Sequence, residues 1–434
     1  MKIRGIFLDR EKATEKSVTI AVPVPEKVII PMTQCRGREC TPVVKPGEWV
    51  NAGTKIGEGI GMTPIHASVS GRVTEITDMY DSWGEPCRAV VIKADNEQKA
   101  AFCDAPGDPS DKDRFVSIVR ESGCITLDGT AQDTADLLER SYGADTFIVN
   151  GTESQQYITN DLRCMLDNGG DILTGIRLIM RNMGISGTVI ALSSDCGEAV
   201  SAMEKLADGS DGISVTALRA DYPNGAEKVL VHNVTERDIH HGETAADKKV
   251  LVLDVSTVAF IGEYFRTGVP MIKRRITVDG DLVRTPCSAE VPIGMPIQDI
   301  LSFADTNLEA AEKLIVGGLM TGRTITEPEL PLCKGDNALL VFMKPIEAGK
   351  GRLHDGEDST NCIRCGKCIE ACPMKLMPLK IEKAIDKKRR SDLKRLRPDI
   401  CIGCGSCSYV CPAKHDLTSK VMAAAQYLAR RERD

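Results

Sequence analysis

Two cysteine runs of identical spacing dominate the chemistry open to this chain: Cys362-Ile-Arg-Cys365-Gly-Lys-Cys368-Ile-Glu-Ala-Cys372-Pro373 and Cys401-Ile-Gly-Cys404-Gly-Ser-Cys407-Ser-Tyr-Val-Cys411-Pro412. In the pattern C-x2-C-x2-C-x3-C-P, three thiolates wrap one four-iron, four-sulfur cubane on a tight loop. The proline carries the fourth thiolate away to the other cubane. Cluster one is therefore expected on Cys362, Cys365, Cys368 and Cys411, and cluster two on Cys401, Cys404, Cys407 and Cys372. Gly366, Gly403 and Gly405 let the loops approach the sulfurs and leave backbone amides free to hydrogen-bond them. Zinc also takes C-x2-C pairs, but one zinc needs four ligands, which leaves a duplicated eight-cysteine pattern unexplained.

Nine of the seventeen cysteines lie outside these runs, and most are expected to be small buried hydrophobes. Cys35 and Cys40 stand apart, because Gln34-Cys-Arg-Gly-Arg-Glu-Cys-Thr41 places them five positions apart on a turn beside Arg36 and Arg38. Positive neighbours lower a thiol pKa and favour the exchanging thiolate. A redox pair at Cys35 and Cys40 is the functional expectation, and two unpaired structural cysteines the plain one. His66 is expected to pack in a strand, and His240-His241 to lie solvated beside Gly242.

The elements that must position these groups follow from the rest of the chain. A length of 434 residues allows two to four domains at roughly 100 to 200 residues each, and 42% hydrophobic content supports real cores. The formal charge of −7 disfavours nucleic acid as a partner. No stretch approaches the roughly 20 apolar residues needed to span a bilayer, and no export signal is evident, so a cytoplasmic protein is expected. One basic stretch, Lys387, Lys388, Arg389, Arg390, Lys394, Arg395 and Arg397, is expected to be helical across Asp386 to Leu396. It reads either as a solvated face or as a docking site for an acidic redox partner.

Short strands punctuated by Gly and Pro from Lys27 to Ile92 indicate a small all-β unit. Strands at 146–150 and 188–192 alternate with helical stretches at 172–183 and 199–206, the pattern of a three-layer α/β domain. From Lys273 the chain turns β-rich again before the cysteine region.

This order resembles the C subunit of the Rnf complex and is similar to the flavin-carrying NADH subunit of respiratory complex I. The motifs that carry the resemblance are Val43-Val-Lys-Pro-Gly47 and Pro64-Ile-His-Ala-Ser-Val-Ser-Gly71, Asn150-Gly-Thr-Glu153 and Tyr222-Pro-Asn-Gly-Ala-Glu-Lys228, and Glu290-Val-Pro-Ile-Gly294 with Gly317-Gly-Leu-Met-Thr-Gly322. It implies a multidomain α/β protein in four parts. Residues 1–105 would form a β barrel-sandwich hybrid, like a biotinyl or lipoyl domain without the modified Lys, and 106–270 a Rossmann-like α/β core. A β-grasp module of the soluble-ligand-binding type would follow at 271–345, and an α-helical 2[4Fe-4S] ferredoxin domain at 346–434.

In that family the core binds FMN and NADH through a loop close to G-L-G-G-A-G-F-P-T, whose amides face phosphate. Here Ser122 to Thr134 stands in its place and keeps only Gly129 of the loop's glycines. Side chains at Thr126 and Thr130 obstruct close approach, and Asp128 and Asp133 would repel phosphate. FMN and NADH are therefore doubtful. The family's N-G-A-E-C-E-P-Y-L-T reads Asn150-Gly-Thr-Glu153-Ser-Gln155-Gln156-Tyr-Ile-Thr159, leaving Glu153 as the nucleotide-contact candidate, with a cap or salt bridge in the core as its plain alternative.

Intact clusters beside an eroded loop imply a cytoplasmic electron-transfer protein that accepts electrons from a donor and passes them to a partner reductase. The departures resemble the electron-transfer proteins associated with D-proline reductase in amino-acid-fermenting anaerobes, which makes that reductase the expected acceptor. Two alternatives stand beside it: an FMN-dependent NADH dehydrogenase subunit of an Rnf-like complex, and a scaffold whose clusters are structural. The oligomeric state is left open.

Overall fold

The computed structural model describes residues 2–81, 83–102, 104–343 and 359–430, so the domain boundary expected at 345 lies outside the described residues. Strands Lys27–Pro31, Pro86–Ala94, Gly71–Tyr80 and Trp49–Val50 form one antiparallel sheet of the sandwich, and Thr41–Pro42, Lys55–Glu58 and Ile65–His66 form the other. Their inward residues, Val28, Ile30, Ile56, Ile65, Val73 and Ile92, are sealed from solvent. Where carrier domains present a lysine, the tip here carries the fully exposed Ile60, and Gly61 is held by Arg120 Nη1, 3.2 Å from its carbonyl oxygen.

The first 24 residues leave the sandwich, which the sequence boundary at residue 105 did not anticipate. Ile6 bridges Tyr222 of the α/β core, and Ile20–Ala21 adds a parallel strand to Cys287–Pro292 of the β-rich module. A two-residue strand is too short to show any alternation in sequence, so only its tertiary partner reveals it.

The core sheet is wholly parallel, in the order Ile213–Leu218, Gly187–Ser193, Thr146–Gly151 and Val250–Asp254. Val215, Ile190, Val149 and Leu253 lie in one register row across it. Helix Gly169–Met183 buries Ile172, Ile176, Ile179 and Met183, the helical stripe visible in sequence, and ends at Gly184 in the left-handed region. It crosses helix Val255–Thr267 at two glycines. A Cβ on Gly175 would sit 2.1 Å from the Val258 carbonyl oxygen, and one on Gly262 would sit 2.0 Å from that of Asp171.

The third module has the strand order Cys287–Pro292, Lys273–Asp279, Ala338–Phe342, Lys313–Val316, Arg323–Ile325. Its first strand is central and parallel to its last, and helix Ile297–Phe303 packs on the sheet, which is β-grasp topology. In the cysteine domain, helices Pro378–Asp386, Arg390–Leu396 and Leu417–Arg430 pack through Ile381, Leu393, Val421 and Leu428. The basic stretch is therefore not one helix. It breaks between Asp386 and Arg390, where Lys388 takes φ +50°, a conformation that ends helices.

Gly262→Ala is expected to destabilise the protein by about 1–3 kcal/mol, because backbone cannot yield as a side chain can, and to lower Tm by a few degrees. An unchanged Tm in thermal denaturation would contradict the crossing described.

Candidate redox centre

The eight cysteines of the two runs divide between two cavities. One is lined by Cys362, Cys365, Cys368 and Cys411, the other by Cys401, Cys404, Cys407 and Cys372. Each cavity thus takes three cysteines from one run and one from the other. Among the described residues no three His, Cys, Asp or Glu side chains converge as a single metal ion requires. Each quartet lines one cavity, and four thiolates are the donor set a cubane takes.

The two cavities differ in their donors. Around the second, the Gly403 amide donates to Cys401 Sγ at 3.4 Å and the Leu376 amide to Cys372 Sγ at 3.4 Å. Thr418 Oγ1 lies 3.5 Å from Cys407 Sγ and Ser406 Oγ 3.4 Å from Cys404 Sγ, and a thiolate without a proton makes both hydroxyls donors. Around the first, the Arg364 amide donates to Cys362 Sγ at 3.3 Å, and Cys365 is exposed.

The second quartet is also the one seated on the core. Tyr222 Oη donates to the Cys404 carbonyl at 2.6 Å, and Leu8, Met320 and Tyr409 pack around that bond. Gly405 is at φ +79°, where an added Cβ would come within 2.9 Å of the Met320 carbonyl oxygen. His241 is exposed as expected, and its Nδ1 also lies 3.0 Å from Asp399 Oδ2 of the cysteine domain.

Tyr222 belongs to the loop after strand Ile213–Leu218, at the carboxyl edge of the parallel sheet, where open α/β sheets bind ligands. Segment 122–134 borders the same edge and is closed on itself. The Leu127 amide donates to Asp254 Oδ2 (3.0 Å) and Thr257 Oγ1 (2.9 Å). The Thr130 amide donates to Asp128 Oδ1 (2.9 Å), the Gln132 amide to Thr126 Oγ1 (3.0 Å) and the Thr126 amide to the Gln132 carbonyl (2.9 Å). The amides of Thr126, Leu127, Thr130 and Gln132 are thus taken by oxygens of the protein itself. Burial, with the Asp128 charge next, raises Asp254 to about 6, and burial and Asp128 also raise Glu227. Those four amides, and the Asp128 carboxylate beside them, do not favour a phosphate at this part of the loop.

Asp133 has a different role from the one expected. It is buried, caps helix Thr134–Arg140 through the Asp136 amide, and accepts from Thr63 Oγ1 of the sandwich at 2.8 Å and from Arg120 at 3.1 Å. Glu153 is likewise committed: its oxygens accept from the Asp161 and Leu162 amides at 2.8 and 3.1 Å, at the start of helix Asn160–Asp167. The capping alternative describes its position.

Cys35 and Cys40 do share one small cavity, with Gln34, Met32, Met62 and Lys334. The expected thiolate character is reversed. Arg38 is drawn away to Asp136 (2.6 Å) and Asp133 (3.5 Å), while burial first and Asp133 second push Cys35 up to about 11. Burial raises Cys40 as well. His66 packs in its strand as expected, its pKa lowered by burial to about 3.

Sequence reasoning missed two lysines, Lys12, which is half-buried, and Lys334, which is buried. Lys12 donates to the Glu153, Gln155 and Ile158 carbonyls, shaping the loop after the central strand. Lys334 donates to the Gly123 carbonyl at 2.7 Å while its own amide donates to Gln34 Oε1, joining three domains. Lys334 gives one sequence signal, a charge beside the apolar run that ends at Phe342, whereas Lys12 lies in the charged stretch Asp9 to Lys16 and gives none.

Residues 2–97 match the RnfC barrel sandwich hybrid domain, 119–263 the Nuo51 FMN-binding domain and 361–415 the 4Fe-4S dicluster domain. The C subunit of the Na(+)-translocating ferredoxin:NAD(+) oxidoreductase complex of Acetobacterium woodii is 32% identical, over 84% of this chain and 84% of that one. The chain belongs to the Rnf complex C-subunit family. The C subunit of the proton-translocating ferredoxin:NAD(+) oxidoreductase complex of Clostridium ljungdahlii is 31% identical over 85% and 81% of the two lengths. An NAD+-reducing [NiFe]-hydrogenase chain shares the fold, with TM-score 0.50 and 16% identity over 76% of this chain and 65% of that one. The dicluster match supports iron–sulfur clusters in this C-subunit relative. At the level of the domain, the FMN-binding match corrects the expectation that left flavin doubtful, although the segment at 122–134 lacks a phosphate cradle. Among the described residues no helix is long and apolar enough to cross a membrane.

Crossed ligation predicts that Cys362→Ser with Cys411→Ser keeps about half the iron, whereas Cys362→Ser with Cys372→Ser loses nearly all of it. The reverse result in iron analysis would refute the pairing. For Lys334, burial lowers the folded pKa to about 8 from an ordinary 10.5. The charged amine therefore costs stability below pH 8, by at most about 3 kcal/mol, and that cost fades as pH rises from 8 towards 10.5. Wild type should gain Tm relative to Lys334→Met between pH 7.5 and 9.5. A constant difference would contradict this.

Proposed function

We propose that this chain is the C subunit of an Rnf-type electron-transfer assembly, carrying electrons through its two clusters between the carboxyl edge of its α/β core and a partner redox protein. The observation that carries the reading is the seat of the second cysteine quartet on Tyr222, which joins one cluster site to the sheet edge where this domain class places its redox ligand. The long matches to Rnf-type subunits support it over a free adaptor for D-proline reductase. That acceptor rests on the departures at Thr126, Asp128, Thr130, Asp133, Gln155 and Gln156.

A second reading, NADH oxidation through FMN in the core, is favoured by the FMN-binding-domain match across 119–263. Residues of this chain that would serve the clusters are the eight cysteines, with the Gly403, Leu376 and Arg364 amides and the Thr418 and Ser406 hydroxyls as donors to sulfur. Donors to sulfur stabilise a more negative cluster, so the set around the second quartet, richer among the described residues, favours an electron there.

Anaerobic purification separates these readings. The expected outcome is protein whose clusters bleach with dithionite, and NADH is the arm that separates the two readings. Equimolar FMN with NADH-driven bleaching would replace it by the second reading. Clusters inert to dithionite would leave only a scaffold.

A further inference from the structure

The small cavity lined by Cys35 and Cys40 belongs to neither cluster quartet. Lys334 lines it too, with Met32, Ile65 and Ile125 as apolar walls, and it has room for about one water molecule. The turn between the two cysteines folds the chain back on itself: the Arg38 amide donates to the Cys35 carbonyl at 3.1 Å and the Cys40 amide to the Met32 carbonyl at 2.9 Å. Gly37 at its tip stands at φ +74° with nothing within 4 Å of an added Cβ, so the turn has open space in which to shift. Cys35 is half-buried beside the exposed Arg36 and Gly37, whereas Cys40 is 3% exposed and its Sγ donates to the Thr63 carbonyl at 3.5 Å. A reachable thiol with a covered one beside it is the arrangement of an attacking and a resolving cysteine.

Burial opposes the thiolate at both cysteines, so exchange at this site needs a base. Lys334 is the base that the cavity offers. Its buried amine donates to the Gly123 carbonyl at 2.7 Å, and burial lowers it to about 8. The apolar walls also suit the product, because a disulfide carries no charge. We propose that Cys35 and Cys40 form a dithiol–disulfide exchange site for an organic disulfide, with Cys35 attacking, Cys40 resolving and Lys334 moving the protons. The Cys35 sulfur bonds one sulfur of R–S–S–R and expels the first thiolate; the Cys40 sulfur then bonds that of Cys35 and expels the second. Two cysteine S–H bonds and the partner's S–S bond break, one S–S bond forms within the chain, and both protons pass by way of Lys334 to the leaving thiolates. The pair gives up two electrons and the partner disulfide gains them, so no cluster takes part.

Glutathione disulfide is the probe, with the full cluster-loaded chain kept free of oxygen. Samples equilibrated at set ratios of glutathione to its disulfide are quenched in acid, alkylated and mapped by mass spectrometry. A Cys35–Cys40 disulfide should form and disappear reversibly with the ratio, while the buried Cys87 and Cys124 stay thiols and iron content is unchanged. Cys40→Ser should stop with glutathione on Cys35, and Cys35→Ser should take up at least tenfold less, because Cys40 is covered. The wild-type rate should climb with pH and level off near pH 8, where Lys334 becomes neutral. Lys334→Met should be at least tenfold slower at pH 8 and keep climbing to pH 10. Lys334→Gln, which keeps a donor for the Gly123 carbonyl, should show the same profile and serves if the Met variant misfolds. No Cys35–Cys40 bond at any ratio, a bond to Cys124 in its place, equal glutathione on the two serine variants, or a pH profile that neither Lys334 variant moves would overturn the proposal. Iron plays no part in this chemistry, so failure here leaves the conduction reading standing, and clusters inert to dithionite leave this site standing.

Discussion

The exchange of one cysteine between the two runs is the constraint on which the redox part of this molecule depends. Cys372 faces the quartet of Cys401, Cys404 and Cys407, and Cys411 faces that of Cys362, Cys365 and Cys368. Neither cavity is complete without chain from both runs, so the intervening helices must pack before either quartet exists. Ile381, Leu393, Val421 and Leu428 supply that packing. The domain so formed meets the rest of the protein through Tyr222, Met320 and Leu8, each from a different part of the chain. Position of the second quartet is therefore set jointly by the core, the β-grasp module and the N-terminal strand-forming segment.

The same economy of contacts explains the altered segment at 122–134. In place of glycines that would present amides to a ligand, Thr126, Asp128 and Thr130 turn those amides inward. Asp133 then becomes the point where the sandwich, helix Lys112–Glu121 and helix Thr134–Arg140 meet, through Thr63, Arg120 and its own cap. A carboxylate that would be hostile to phosphate is here a buried junction with several donors, the arrangement a buried charge requires.

Much of this was legible in the sequence, for identifiable reasons. Cysteine spacing encodes cluster ligation because loop geometry admits few solutions, and the stripe Ile172, Ile176, Ile179 and Met183 encodes a buried helix face. Strands with clear alternation fell where expected. What stayed hidden depended on distant partners. Arg38 beside Cys35 looks activating until Asp133 and Asp136, far along the chain, take its charge. His241 is exposed as its loop setting implies, but its contact with Asp399 of another domain has no sequence signal. Glu153 looks poised for a ligand until the start of helix Asn160–Asp167 claims both oxygens.

The central claim is that the two quartets hold conducting clusters joined to the core by the Tyr222 contact. An EPR-monitored potentiometric titration of the full chain, repeated on Tyr222→Phe, tests this most directly. The account predicts two reversible one-electron reductions in wild type, and in the variant a lower potential or altered signal for one cluster only, that of Cys401, Cys404, Cys407 and Cys372. Clusters that take up no electron, or a substitution that leaves both potentials and signals unchanged, would contradict it.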